Sequence, residues 1–425
     1  MQMSEDKMSK VNNQYVVAKE AYAALGVDTD AALAKLATIP ISIHCWQGDD
    51  VGGFEGGDGE LTGGIAVTGS FPGKARTPAE LRADFEKAYS LIPGTHRFAL
   101  HASYREAGGK PVDRDQVMPE HFTGWVEWAR GLGIGLDFNP TFFSHPKSDD
   151  GFTLAHADKG IRDFWIEHGK RCRAISASFG RELGSASYDN FWIADGWKDE
   201  PADRLKHREL LIDSLDKTFA EKVDPAHTID SVESKLFGIG SETYVVGSHE
   251  FYLAYALTRH VALTLDSGHY HPTESIAEKL SAVLPFIPKI MLHISRPVRW
   301  DSDHVVLFND ESRAIAREVA RADAWDRIAV GLDFFDASIN RVSAWTIGTR
   351  NTVKAILYAL LEPIDLIRKA ENEGRLGDRL ALQEEAKTLP FGAVWDMYCE
   401  QHNVPVGTAW MDEVATYEKE VLLKR

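Results

Sequence analysis

At 425 residues the chain is too long for a minimal domain and long enough for one large α/β domain with an extension. Its composition, 44% hydrophobic and 26% charged, excludes the collagen-like and disordered classes. A formal net charge of −17 opposes binding to polyanions, which need a basic patch to neutralise phosphates, so no nucleic-acid partner is expected.

Residues 1–40 are predicted to form a helical lead-in. The opening MQMSEDKMSKVNN is polar and has no apolar core of a secretion signal. The most apolar later stretch, AVLPFIPKIMLHI, is cut by Pro285, Pro288 and Lys289, so no membrane span is expected. A cytoplasmic location follows as an expectation. Cys45, Cys172 and Cys399 are far apart and odd in number, which suits reduced thiols better than disulfides. Cys45 is expected to be a small buried apolar residue and not a nucleophile.

From 41 to 344, β-rich runs alternate with amphipathic segments, the pattern of a parallel sheet with crossover helices. Eight runs are predicted as strands, at 41–46, 96–101, 133–139, 191–195, 231–239, 261–269, 289–295 and 327–335, and eight is the number that closes a (β/α)₈ TIM barrel. Thr77, Pro78 and Glu80 form a predicted N-cap, first-turn proline and capping-box glutamate ahead of a stripe of Leu81, Phe85, Ala88 and Ile92. Leu211, Leu215, Phe219 and Val223 repeat the stripe before the fifth strand. Residues 48–74 form a glycine-rich loop, either a solvent spacer or a lid. It holds no P-loop, because GSFPGKAR lacks the spacing, and GLGIG (131–135) precedes a strand, so it is no dinucleotide fingerprint. After 345 strand signals stop, and 355–374, 379–389 and 393–402 are predicted as helices of a C-terminal extension (345–425) that contacts the barrel or another subunit.

The functional signal is a repetition. Glu233 and Lys235, Asp266 and His269, His293 with Asp301 and Asp303 in the following WDSD turn, and Asp333 stand at or just past the ends of the last four strands. A barrel converges such positions on one point at its C-terminal face. Small residues sharing a face with them, Ala262 and Thr264, then Ala329 and Gly331, fit an interior with little room. Each pair taken alone is equally a salt bridge, a capped turn or a core histidine; it is the joint pattern that points to metal. Five carboxylates and two imidazoles exceed the demand of one divalent ion, so two sites are inferred. Oxygen and imidazole donors without thiolate suit Mn²⁺, the leading expectation, or Co²⁺, Zn²⁺ or Mg²⁺. Two such cations could hold neighbouring oxygens of a polyol, polarise a carbonyl and acidify a bound water. Trp46, Trp192, Phe335 and Phe138 stand at strand ends and could wall an apolar pocket, and His101 ends the second strand.

At these residues the chain resembles the L-rhamnose isomerase family, within the xylose-isomerase-like barrels. The resemblance runs through SIHCWQGDDVGGFE (42–55), LTGGI (61–65), LDFNPTFFSHP (136–146), VESKLFGIG (232–240), LDSGHYHPTE (265–274), HISRPVRWDSDHVV (293–306) and GLDFFDASINR (331–341), and covers essentially the whole chain. It implies a metal-dependent aldose–ketose isomerase that interconverts L-rhamnose and L-rhamnulose by hydrogen transfer between C1 and C2. It implies one metal on Glu233, Asp266, His293 and Asp333, and a second on His269, Asp301 and Asp303 with Asp266 close by. Lys235 would stabilise charge near C1, the O2 proton would move near Asp301, and His101 would assist sugar binding or ring opening. Hydrogen would pass by a hydride shift or through an enediolate. A homotetramer is implied too. The rival readings are an isomerase of another aldose, a metallohydrolase on the same barrel, or a non-catalytic sugar-binding module; Lys235 and the second ligand set favour chemistry.

Overall fold

The computed structural model describes residues 2–48, 51–55, 71–236, 243–271, 273–298 and 301–425, with side chains described from residue 10. Eight parallel strands close a barrel: β1 (Ile41–His44), β2 (Arg97–His101), β3 (Gly135–Asn139), β4 (Ser187–Trp192), β5 (Thr228–Glu233), β6 (Ala262–Asp266), β7 (Ile290–Ile294) and β8 (Ile328–Leu332), with β8 returning to β1. Strands so placed face side chains inside and helices outside, and β6 and β7 are buried at every residue. Helices α1 (Gln2–Ala23) and α2 (Thr29–Leu36) precede the barrel. The crossovers are α3 (Pro78–Tyr89), α4 (Thr123–Leu132), α5 (Lys159–Leu183), α6 (Arg204–Thr218), α7 (His249–Arg259), α8 (Ile276–Val283), α9 (Asp310–Arg321) and α10 (Arg341–Leu360).

Helix α3 starts where its sequence signals place it. Thr77 Oγ1 accepts from the Glu80 N–H at 3.2 Å and Pro78 occupies the first turn. Its stripe, Leu81, Phe85 and Ala88 with Ile92 beyond, is buried, and Phe85 packs on Phe98 of β2, Trp128 of α4 and Trp345 of α10. Truncating such a phenylalanine costs about 3–5 kcal/mol. Glu80 departs from the capping box: its carboxylate accepts from the Arg76 N–H at 2.7 Å, drawn one residue further back by the Arg76 guanidinium.

Four expectations shift. The fourth strand runs Ser187–Trp192 and not 191–195; after Trp192 the chain leaves the barrel, Asp195 accepts from Thr153 Oγ1 and the Ala155 N–H, and Gly196–Trp197 pairs antiparallel with Tyr244–Val245. Helix α6 stops at Thr218, so Leu211 and Leu215 are buried on it while Phe219 and half-exposed Val223 lie past its end. The predicted helix at 355–374 breaks into α10 and α11 (Ile364–Asn372) around Pro363, which has no N–H to donate and disfavours a helical residue before it. Finally, the expected division at 344/345 falls inside α10, which completes the ring by packing between α9 and α3.

Beyond α10 come α11, α12 (Leu376–Glu385), α13 (Phe391–Gln401) and α14 (Trp410–Glu420), the last not anticipated from sequence. Helix α13 packs on α1 and α10, and α14 on α10. The C-terminal Arg425 donates to both oxygens of fully buried Asp84 in α3, at 2.7 and 2.8 Å, and Tyr417 O–H donates to the same carboxylate. All three cysteines are buried and none is in a disulfide. Among the described residues no helix is long and apolar enough to cross a membrane. Residues 49–50 and 56–70 of the glycine-rich loop, including LTGGI, lie outside the described residues, as do 237–240, Pro272, Arg299 and Trp300 of the quoted motifs.

Candidate functional site

Strand register builds the site. Asp266 and His293 are Cα partners across β6 and β7, His293 and Gly331 across β7 and β8, and Trp192 and Glu233 across β4 and β5. Alternation along each strand turns the acid and imidazole groups inward, and Asp333, two past Gly331, shares its face. One ligand atom from each of Glu233, Asp266, His293 and Asp333 lies within 4.8 Å of all the others. His293 Nδ1 is the hub, 3.2 Å from Glu233 Oε1, 3.5 Å from Asp333 Oδ2 and 3.7 Å from Asp266 Oδ2.

A second group adjoins the first. Lys235 Nζ lies 2.6 Å from Asp301 Oδ2 and 5.1 Å above the Trp192 ring. His269 Nε2 is 3.4 Å from the same Asp301 oxygen, and His269 Nδ1 is 2.7 Å from the Ser234 carbonyl. A carbonyl only accepts, so Nδ1 carries a proton and donates to it; Asp266 and Asp301 outweigh desolvation and raise the ring to about 10, so Nε2 is protonated too and points its N–H at Asp301. Asp303 lines the same cavity. Gly268 makes this crowding possible: a Cβ there would overlap Asp301 Oδ1 and stand 3.2 Å from both Asp266 Oδ1 and Ser295 Oγ.

Trp46, His101, Trp192 and Phe335 wall the cavity, joined by Phe143, Asn139 and Asn190, which the sequence reading did not single out. Phe138 does not: it points outward and packs edge-on against Phe122 and Phe179. The expectation put it on the wrong face, since Asn139, its neighbour on β3, takes the inward position. His101 Nδ1 lies 3.0 Å from Thr141 Oγ1, and its ring meets Trp46 edge-on at 4.9 Å.

Electrostatics follow from burying many acids together. Burial opposes the charge on Glu233, but the imidazoles of His293 and His269 outweigh it and hold that carboxyl low. Asp333 is likewise held low by its hydrogen bond with His293 despite burial. Burial raises Asp266, with Asp333 and Glu233 adding to the shift, and raises Asp303, beside Asp301, well above its ordinary value. His293 goes well above its own, because Glu233 and Asp333 outweigh desolvation. Lys235 also stays charged: desolvation is overcome by Asp301 and Asp303. His101 goes the other way, desolvated to about 3 and hence neutral.

These residues fit divalent cations. Among the described residues neither Asp266 Oδ2 nor Asp301 Oδ1 has a hydrogen-bond partner, and both are buried, while Asp301 Oδ2 meets the Lys235 ammonium at 2.6 Å. Unsatisfied buried carboxylate oxygens cost several kcal/mol unless a cation or donor meets them. The donors are oxygen and imidazole with no thiolate, a set for hard or borderline ions.

The profile of the family described as L-rhamnose isomerase (RhaA) matches residues 9–425. An L-rhamnose isomerase of Mannheimia succiniciproducens is 61% identical over 418 residues, covering 98% of this chain and 100% of that one. One of Salmonella paratyphi B is 58% identical over 417 residues, with 98% and 99% covered. A solved L-ribulose 3-epimerase is similar at a TM-score of 0.47 and 13% identity, over 78% of this chain and 98% of that one. With a matched profile spanning nearly every residue and relatives at this identity from end to end, the chain belongs to the L-rhamnose isomerase family.

Proposed function

We propose that this protein is a metal-dependent aldose–ketose isomerase interconverting L-rhamnose and L-rhamnulose by hydrogen transfer between C1 and C2. The observation that carries the reading is the convergence of Glu233, Asp266, His293 and Asp333 from four successive strands within 4.8 Å, beside a lysine held charged. Glu233, Asp266, His293 and Asp333 would hold one divalent cation and His269, Asp301 and Asp303 a second, with Mn²⁺ the first choice and Co²⁺, Zn²⁺ or Mg²⁺ alternatives. When bound, the cations supply Lewis acidity that polarises neighbouring sugar oxygens.

The protein's own groups do the rest. Lys235, charged and buried, donates to the oxygen at C1 as negative charge develops there. Asp301, whose Oδ1 has no hydrogen-bond partner among the described residues, takes and returns the proton at O2. Asp333 would help hold the first cation. His101, neutral and oriented by Thr141, offers its Nε2 to the sugar for binding and ring opening. Trp46, Trp192, Phe143 and Phe335 exclude water and receive the apolar face and the C6 methyl; a methyl-sized difference is worth about 1–3 kcal/mol, so related aldoses would turn over more slowly and not be rejected.

A cytoplasmic homotetramer completes the proposal, with the C-terminal extension in a subunit contact through the exposed Leu376 and Leu380 of α12; sedimentation of the intact chain tests the assembly. The function is tested by assaying L-rhamnulose formation from L-rhamnose with chelator-stripped protein, adding back Mn²⁺, Co²⁺, Zn²⁺ and Mg²⁺ separately. No ketose with any of the four would end the reading.

A further inference from the structure

We propose that Asn190 and Trp46 are positioning residues for the cation site, each tying one oxygen of a ligand carboxylate to a neutral donor so that the other oxygen stays turned to the cation. This rests on the reading of Glu233, Asp266, His293 and Asp333 as a metal site. Asn190 Nδ2 donates to Glu233 Oε2 at 2.5 Å, and Trp46 Nε1 donates to Asp333 Oδ1 at 2.9 Å. The oxygens left over, Glu233 Oε1 and Asp333 Oδ2, are the two that face His293 Nδ1, at 3.2 and 3.5 Å. Two carboxylates on different strands therefore show the same division of labour.

Each donor is itself fixed. The Glu233 carboxylate can only accept, which turns the NH₂ of Asn190 toward it, and on the other side the hydroxyls of Thr264 at 2.7 Å and Ser231 at 3.2 Å donate to Oδ1 and hold the amide in that orientation. Asn190 is 1% exposed and Trp46 is 3% exposed, so both bonds lie out of bulk water. The Trp46 indole is braced edge-on by His101 and tilted against His44, with ring centroids at 4.9 and 5.1 Å. An indole N–H can only donate, and a primary amide adds no charge, so neither group competes with a cation for the carboxylate. Hydrogen bonds to ligand carboxylates of this kind hold their orientation, and losing one costs about 10- to 100-fold in metal affinity. Trp46 thus has a duty beyond walling the sugar cavity.

The test measures Mn²⁺ affinity of the whole chain by competition with a chromophoric chelator, together with sugar KM and kcat at limiting and at excess Mn²⁺. Trp46→Phe keeps the aromatic wall and removes only the donor; Asn190→Leu keeps approximate volume and removes the amide. Expected for Trp46→Phe is Mn²⁺ binding weaker by about 10- to 100-fold, with turnover lost at limiting Mn²⁺ and recovered at excess. If Asn190→Leu does not fold, Trp46→Phe decides alone. Wild-type Mn²⁺ affinity with a raised sugar KM in Trp46→Phe would make Trp46 a cavity wall only and overturn the inference. Wild-type protein that binds no Mn²⁺ would instead remove the metal-site reading, and the inference with it.

Discussion

Lys235→Met isolates the contribution of one buried charge. Methionine keeps an unbranched apolar stem against Trp192 and removes the ammonium. In the native protein that ammonium sits 2.6 Å from Asp301 Oδ2, with the lysine side chain 5% and the aspartate side chain 1% exposed. Taking away one partner of a buried pair leaves an uncompensated carboxylate and costs about 3–5 kcal/mol. Transition-state charge at the C1 oxygen loses its donor as well, worth about 3–4 kcal/mol, or roughly a hundred- to thousand-fold in kcat. Two assays read the two effects: initial rates of ketose formation at saturating L-rhamnose and Mn²⁺, and urea midpoints of chelator-treated protein. A variant with kcat within about threefold of wild type would refute the role given to Lys235, whatever its stability.

Asp301→Asn preserves size and removes the proton acceptor at O2; turnover should fall at least about a hundredfold with sugar binding retained, measured by equilibrium binding beside kcat. Gly268→Ala places a methyl group against Asp301 and Asp266, and should weaken Mn²⁺ by about tenfold or more in chelator competition without altering the circular dichroism spectrum. His96 gives a pH signature far from the site. Burial pushes it down to about 4, and its Nδ1 accepts the Ile41 N–H, a bond the protonated ring cannot make. Between about 4 and 6.5 the unfolded chain binds a proton here that the folded protein does not, so stability is present above that window and falls as pH falls through it. His96→Gln should remove up to about 3 kcal/mol of the stability lost between pH 6.5 and 4, read from urea midpoints; identical pH profiles would contradict this.

How far the sequence reveals this depends on whether a feature is local. Thr77–Pro78 marks a helix start because an N-cap acts on the next three residues. The last four strands are legible because apolar runs end abruptly in Glu233, Asp266, His293 and Asp333, and strand alternation then assigns their common face. The start of strand β4 escaped because Ser187, Asp189 and Asn190 make its first half polar; inside the barrel Asn190 is satisfied by Ser231 on β5 and Thr264 on β6, partners that no local pattern encodes. The Trp46 bond to Asp333 spans 287 positions, so from sequence Trp46 reads only as an apolar wall. The boundary at 344/345 followed the last strand signal, whereas a barrel closes only when its eighth helix covers β8 and β1.

Charge balance links the site to the stability of its scaffold. Among the described residues, Glu233, Asp266, Asp301, Asp303 and Asp333 face Lys235, His269 and His293 as cations, so the fully ionised cluster of these groups would be anionic in a nearly dry interior. Without metal, protons make up the difference: burial keeps Asp266 and Asp303 protonated to higher pH, and His293 and His269 hold theirs against desolvation because the acids surround them. A divalent cation therefore enters by displacing protons, so affinity climbs with pH and binding stabilises the fold by mass action. The neutral donors fit this logic. A permanently charged donor on Glu233 or Asp333, unlike His293 with its displaceable proton, would neutralise the charge that draws the metal, whereas Asn190 and Trp46 restrain each carboxylate and leave its charge in place.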